Sequence, residues 1–248
     1  MDPVTARRQF GVSTHLFRGQ RLCRDHLLAV GSHGFDTVEM RAAAGHFDYG
    51  NVTAVADLQQ WLAEAGLTLQ SVYAPEPDLG VLHVARRIAV PVLIVPIGSQ
   101  RGAARRMVDE LARAARPLGV RIAVEGAPNE PSTASSLVHF VEHDVEGLNV
   151  GICLDLGRAQ MNGDVGDAIE TVAEHLVAIH LHDARGRSDE HLIPLEGDID
   201  WPSAMTAIQK VGYDGPLMFD IASRGSAKDA LARARAAREQ LERMLDWD

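Results

Sequence analysis

Residues 149–183 read NVGICLDLGRAQMNGDVGDAIETVAEHLVAIHLHD, and this stretch decides the fold. It opens on an apolar run, Asn149–Leu154, that is followed by Asp155, and closes on a second, Leu176–Ile179, followed by His180. Neither run alternates cleanly between apolar and polar residues, so both read as strands buried on both faces. With a helical segment between them, they form one strand–helix–strand unit of a parallel sheet.

The same phrase recurs outward in both directions: an amphipathic segment, a glycine, a short apolar run. It appears at Gly34, Gly66, Gly119, Gly147 and Gly212. Glycine ends helices in the left-handed conformation. The remaining strand candidates are Gly11–Leu16, Thr37–Met40, Leu67–Val72, Val92–Ile97, Arg121–Val124 and Leu217–Phe219. Helical segments separate them, among them Val52–Ala65, Arg101–Leu118 and Trp201–Val211, and Ala227–Leu245 closes the series. The segment from Leu79 to Val90 is the shortest. Asp200 followed by Pro202 marks one helix start, and Ser132 marks another. Eight units in 248 residues suit a closed barrel. The expected architecture is α/β, a single (β/α)8 TIM barrel spanning residues 1–248.

Composition narrows the chemistry. A hydrophobic content of 46% and a charged content of 23% are those of a soluble globular chain. Met1–Phe10 lacks the apolar segment of a secretory signal. The longest apolar run, Ile88–Ile97, is about half a membrane span and contains Pro91 and Pro96. A cytoplasmic protein without a membrane partner is expected. A formal charge of −10 argues against a nucleic-acid partner. Cys23 and Cys153 lack metal-site spacing and read as buried small hydrophobes. The only lysines, Lys210 and Lys228, lie in helical segments, which disfavours Schiff-base chemistry.

Barrel strands are apolar because they are core, so a charged residue at a strand's C-terminal end needs a reason; that end is where barrel active sites lie. Four successive strands end this way, on Glu125, Asp155, His180 and Asp220, at separations of 30, 25 and 40 residues. Neighbouring strands lie about 5 Å apart, so the four side chains can converge. Three carboxylates in one mouth need compensating charge. One divalent ion supplies it, and three oxygen donors with one imidazole suit Mn²⁺ foremost, then Mg²⁺, Co²⁺ or Zn²⁺. Capping of helices, or pairing with arginines, is the alternative for each acid taken singly.

Ala123-Val-Glu125-Gly, Cys153-Leu-Asp155-Leu-Gly-Arg158-Ala and Ala178-Ile-His180-Leu-His-Asp183 resemble successive motifs of the xylose isomerase-like barrels. So do Asp189-Glu-His191, Glu196-Gly-Asp-Ile-Asp200-Trp and Gly212-Tyr-Asp-Gly-Pro-Leu-Met-Phe-Asp220. That superfamily includes sugar isomerases and epimerases, inosose dehydratases and endonuclease IV. The resemblance runs from Gly11 to about Ile221 and implies that Glu125, Asp155, His180 and Asp220 ligate the metal. It also implies that Glu125 and Asp220 form the acid–base pair. The metal would polarise a carbonyl and its neighbouring hydroxyl, and the two carboxylates would remove and return the proton through an enediolate.

Two positions depart from the pattern. The last ligand is usually Glu, and Asp220 is one methylene shorter. Where relatives commonly carry His, three residues after Asp155, this chain has Arg158. A guanidinium there favours an anionic substrate, unless it pairs with an acid such as Glu125 or Glu130. His15 and Glu39 end the first two strands and are expected to line the substrate pocket. His182 joins them by strand alternation, and Arg185, with Arg187 beside it, by resemblance to the epimerases. Asp183 is read as orienting the loop, and the three Trp as packing residues.

The expected function is a metal-dependent isomerase or epimerase of a sugar, sugar acid or cyclitol. A lyase using the same enediolate is an alternative, as is a non-catalytic sugar-binding protein or partner subunit. An endonuclease IV-like cluster lacks its histidines: Ser71-Val-Tyr73, Pro96-Ile-Gly98 and Arg158 stand in their places. A small sugar-derived molecule is the expected partner, and homo-oligomers are compatible with such a barrel.

Overall fold

A computed structural model describes residues 8–127, 132–146, 149–186 and 188–245. Eight parallel strands close into a barrel. In chain order they are β1 (Phe10–Ser13), β2 (Thr37–Arg41), β3 (Thr68–Tyr73), β4 (Val92–Ile97), β5 (Arg121–Gly126), β6 (Val150–Asp155), β7 (Leu176–Leu181) and, after a hairpin, β10 (Leu217–Phe219). Around the ring the order is β1-β10-β7-β6-β5-β4-β3-β2, so sequence neighbours pair throughout and β10 closes onto β1.

The strands are apolar on both faces because each face meets a different core. One set of side chains meets the surrounding helices in the main hydrophobic core. The other fills the barrel interior, where Tyr73, Val92, Ile94, Ala123 and Cys153 form a separate cluster. Inward positions change character along each strand. They are small or apolar at the N-terminal end, as at Ala123, Cys153 and Ala178. Two residues later they are Glu125, Asp155 and His180. The period of two in strand side chains thus delivers three polar groups to one rim.

The helices of the outer ring include α1 (Arg24–Ser32), α2 (Val52–Ala65), α3 (Leu82–Ala85), α4 (Arg101–Ala115), α5 (Ala134–His139), α6 (Leu156–Asn162), α7 (Val165–Val172), α8 (Trp201–Lys210) and α9 (Ala227–Leu245). Gly66 closes α2, and Gly119 closes the turn after α4, both at positive φ. Gly147 lies outside the described residues. The shortest segment is a 3₁₀ turn, Leu79–Val81, running into one turn of α3. No helix among the described residues is long and apolar enough to cross a membrane.

Local departures from expectation have local causes. The first strand stops at Ser13, whose side chain accepts the His15 amide and turns Thr14–Phe17 into a 3₁₀ helix. Thr133, not Ser132, caps α5, through a capping box with Ser136. Cys23 is exposed at the start of α1, while Cys153 is buried. Asp200 caps α8 as its sequence indicates, accepting from the Ser203 amide.

The largest difference is a hairpin after β7, formed by β8 (Asp183–Arg185) and β9 (Ser188–Leu192). Asp183 anchors it. Its fully buried carboxylate accepts from the Ala184, Leu195 and Ile199 amides and from Trp201 Nε1, at 2.8–3.2 Å. Asp183→Ala strands these donors and is expected to cost about 3–5 kcal/mol in denaturant unfolding. A loss below about 1 kcal/mol contradicts the anchoring role.

Candidate active site at the barrel mouth

The deepest layer is centred on His180, which is fully buried on β7. Its Nδ1 lies 2.7 Å from Glu125 Oε1 and its Nε2 2.9 Å from Glu39 Oε2. Glu39 is fixed in turn by Ser13 Oγ (2.9 Å) and Ser71 Oγ (2.8 Å), from the strands on either side. Burial alone would lower the His180 pKa, but Cys153, Glu39 and Glu125 around it raise it well above the ordinary value. The ring therefore donates to both carboxylates. Ligation through either nitrogen requires that nitrogen to give up its proton and its partner.

Above this layer, Arg158 on α6 gathers the acids of one wall. Its Nη1 donates to Glu125 Oε2 (2.7 Å) and to the Gly126 carbonyl (2.6 Å), and its Nε to Asp189 Oδ2 (3.3 Å). Asp155 Oδ2 lies 3.6 Å from that Nε. Burial raises the Glu125 pKa, but Arg158 and His180 outweigh it and hold the carboxyl below its usual range. Asp155 is likewise depressed: burial is overcome by His182 and Arg158. Its Oδ1 caps α6 by accepting the Arg158 amide at 3.0 Å.

The opposite wall holds Asp220, just past β10. His15 Nδ1 is 2.8 Å from its Oδ1, and Arg18 Nη1 is 2.7 Å from His15 Nε2. Arginine can only donate, so His15 Nε2 accepts and Nδ1–H donates to Asp220. His191 Nδ1 reaches the Asp220 carbonyl (2.7 Å) and Oδ2 (3.3 Å). Against the effect of burial, these two histidines hold the Asp220 pKa well below the usual value. His191 itself is pushed up to about 9: burial opposes the rise and Asp220, Asp155 and Asp189 drive it. His191 also sits at φ +49°, a region uncommon for residues other than glycine and often associated with functional sites.

Between the walls lies a set of buried atoms without hydrogen-bond partners: Asp155 Oδ2, His182 Nε2 and Asp189 Oδ1. His182 Nε2 is only 2.7 Å from Asp155 Oδ1, yet outside hydrogen-bond geometry, and 3.7 Å from Asp189 Oδ1. Atoms that crowd together without bonding one another are placed as cation ligands are. Ligand atoms of Asp155, His180 and Asp220 lie within 4.8 Å of one another, as do those of His182, Asp189 and His191. Two imidazoles with carboxylate oxygens are a suitable donor set for a divalent transition metal or zinc.

His182 is held by stacking on His191 (centroids 4.2 Å, 25°) and by Gly157, where a Cβ would meet its Cε1 at 1.9 Å. Gly157→Ala must displace the ring or α6. It is expected to cost about 1–3 kcal/mol in denaturant unfolding, and a cost within experimental error contradicts this packing.

The residues singled out by sequence separate accordingly. Asp155, His180 and Asp220 come together, with Glu125 beside His180 and turned to Arg158. His15, Glu39 and His182 join the same cluster. Arg185 does not: it is exposed on the hairpin and donates to the Glu196 carbonyl at 2.7 Å. Arg187 and Glu130 lie outside the described residues. Asp189 and His191, quoted above only as a motif of the resemblance, share a face of β9 and join the cluster as well. Ser13 and Ser71, the two supports of Glu39, were legible only as inward positions near strand ends.

The family model of the xylose isomerase-like TIM barrels matches residues 82–247. An uncharacterized protein of Methanocaldococcus jannaschii is 28% identical over 142 residues, which cover 54% of this chain and 47% of that protein. The match thus spans about half the length of that relative. Among solved structures, a D-tagatose 3-epimerase-like protein superposes with a TM-score of 0.82 at 20% identity, covering 96% of this chain and 98% of that one. An IOLI protein with a bound zinc atom gives a TM-score of 0.80 at 16% identity, covering 97% and 100%. With that family match and eight parallel strands in a closed ring, the chain belongs to the xylose isomerase-like TIM barrel family.

Proposed function

We propose that the chain is a sugar isomerase or epimerase that moves a proton on the carbon next to a carbonyl and depends on a divalent ion. One observation carries the reading: Asp155 presents a buried oxygen without a hydrogen-bond partner between two walls that each end in an ionised carboxylate, Glu125 and Asp220. Asp155, His180 and Asp220, with Glu125, are the residues proposed to hold the ion, and His182 Nε2 and Asp189 Oδ1 add ligand atoms without hydrogen bonds on the same rim. The bound ion supplies an electrophile for the carbonyl and its neighbouring hydroxyl.

The chain's own groups do the rest. Asp220 is kept ionised by His15 at Oδ1 and His191 near Oδ2, and Oδ2, the more loosely held oxygen, is the one that would accept the proton. Glu125 shares a hydrogen bond with a proton-bearing His180, so a proton can be returned from that side. Arg158 keeps Glu125 charged until then. The neighbour named for D-tagatose 3-epimerase supports the substrate class.

The test is exchange of substrate C–H for deuterium in deuterated water, followed by NMR across ketoses, sugar acids and cyclitol ketones, with Mn²⁺ present. Incorporation at the carbon beside the carbonyl is expected; a lyase shows the same exchange with elimination. Binding without exchange makes the chain a sugar-binding protein, a reading favoured by the extent to which Arg158 and His180 already satisfy Glu125.

A further inference from the structure

The mouth is electrically lopsided. On the β5–β6 side Arg158 faces three carboxylates, Glu125, Asp155 and Asp189, whose combined charge exceeds its own and disfavours an anion of the substrate there. On the β1–β2 side the reverse holds. Arg18 and Arg41 lie there, and among the described residues no carboxylate is within ion-pair distance of either.

Arg41 is the better placed of the two. It is the last residue of β2, two beyond Glu39 and so one layer higher on the same face. The β2–β3 register pairs it with Tyr73, just as Glu39 is paired with Ser71. Its guanidinium carbon lies 5.1 Å from the Tyr73 ring centre, and that ring lies 6.1 Å from His180. A guanidinium resting on an aromatic ring uses its face; the N–H donors along its edge remain free for a planar or tetrahedral anion. The Tyr73 hydroxyl also lacks a hydrogen-bond partner among the described residues and stands within the fields of Glu125, Arg158, Asp220 and Arg41. Beyond Arg41 opens a cavity of about 590 Å³, lined by Arg41, Ala43, Phe47, Asp48, Tyr49 and Glu76. Asp48 and Glu76 are exposed at its rim, where solvent screens them. They confine an anion to the Arg41 end.

We propose that Arg41, stacked on Tyr73, binds a carboxylate or phosphate at the end of the substrate remote from the reacting carbon. This rests on the sugar isomerase reading for the identity of the reacting end, and assigns the substrate to the acidic sugars or sugar phosphates.

Calorimetric titration of the metal-loaded protein with D-fructose, D-fructose 6-phosphate and D-fructuronate tests this without turnover. At least one anion is expected to bind about tenfold or more tightly than fructose, a gain in the range of one charge-assisted contact. Whichever anion gains identifies the source of the charge. In Arg41→Met, which keeps a side chain over Tyr73, the ratio is expected to fall to about one; Arg41→Lys should lie between. Equal binding of all three sugars by the wild type, or none, overturns the proposal, as does a ratio unchanged in Arg41→Met. The outcomes are separable from the reaction reading. An Arg41-dependent ratio without deuterium exchange keeps this site and loses the isomerase, while exchange on neutral sugars with a ratio near one does the opposite.

Discussion

Glu125→Gln is expected to slow deuterium exchange from a bound sugar by about 10²–10⁴-fold, the usual worth of a positioned acid–base group. The substitution is nearly isosteric and the site is buried, so packing is kept while the ionisable oxygen is lost. The amide oxygen can still accept from Arg158, and the NH2 can donate to His180 Nδ1 once that nitrogen gives up its proton, which argues against a general collapse of the wall. The measurement is the first-order exchange rate by NMR at saturating sugar and Mn²⁺. A rate within about threefold of wild type removes Glu125 from the proton path.

Arg158→Ala has the second large expected effect, and it falls on stability. The guanidinium side chain is 12% exposed and contacts three carboxylates that are themselves 2–20% exposed. Removing one partner of a buried ion pair leaves the other charge uncompensated, which costs about 3–5 kcal/mol. That loss is expected in denaturant unfolding of the metal-free protein. Part of it should return on adding Mn²⁺, because a cation that binds only the folded form stabilises it by mass action and relieves the same repulsion. A loss below about 1 kcal/mol, or one indifferent to Mn²⁺, contradicts the role assigned to Arg158 as the internal counter-charge.

The barrel was legible because its strands have no solvent face. Runs such as Val92–Ile97 cannot be half-exposed strands, and glycines such as Gly66 and Gly119 after amphipathic segments mark where helices return to the sheet. The acids at the rim were legible for the same reason: Glu125 and Asp155 interrupt apolar strands where core residues would otherwise continue. Partnerships across the mouth were not. That Arg158 turns to Glu125, or that Glu39 supports His180 across the barrel from it, depends on side chains 33 and 141 residues apart meeting in space. The Asp189-Glu-His191 motif was visible, but the hairpin that carries it was not, because its strands are short and polar and its anchor, Asp183, takes its partners from as far along the chain as Trp201. Arg41 escaped by one residue: a strand read as ending at Met40 extends to it, and its pairing with Tyr73 is a matter of register. His15 was read on a strand and lies in a 3₁₀ turn, where it still reaches Asp220.

The central claim is that this mouth holds a divalent ion through Asp155 and its neighbours. It is tested most directly by elemental analysis of the purified protein after incubation with Mn²⁺ and gel filtration, beside Asp155→Asn. Asn keeps the side chain's size and its cap on α6 while removing the charged oxygen that lacks a hydrogen bond. About one equivalent of Mn, Co, Zn or Mg in the wild type, as expected for a single closed set of donors, and little in the variant is the predicted result. No retained metal in the wild type, or equal metal in both proteins, contradicts it.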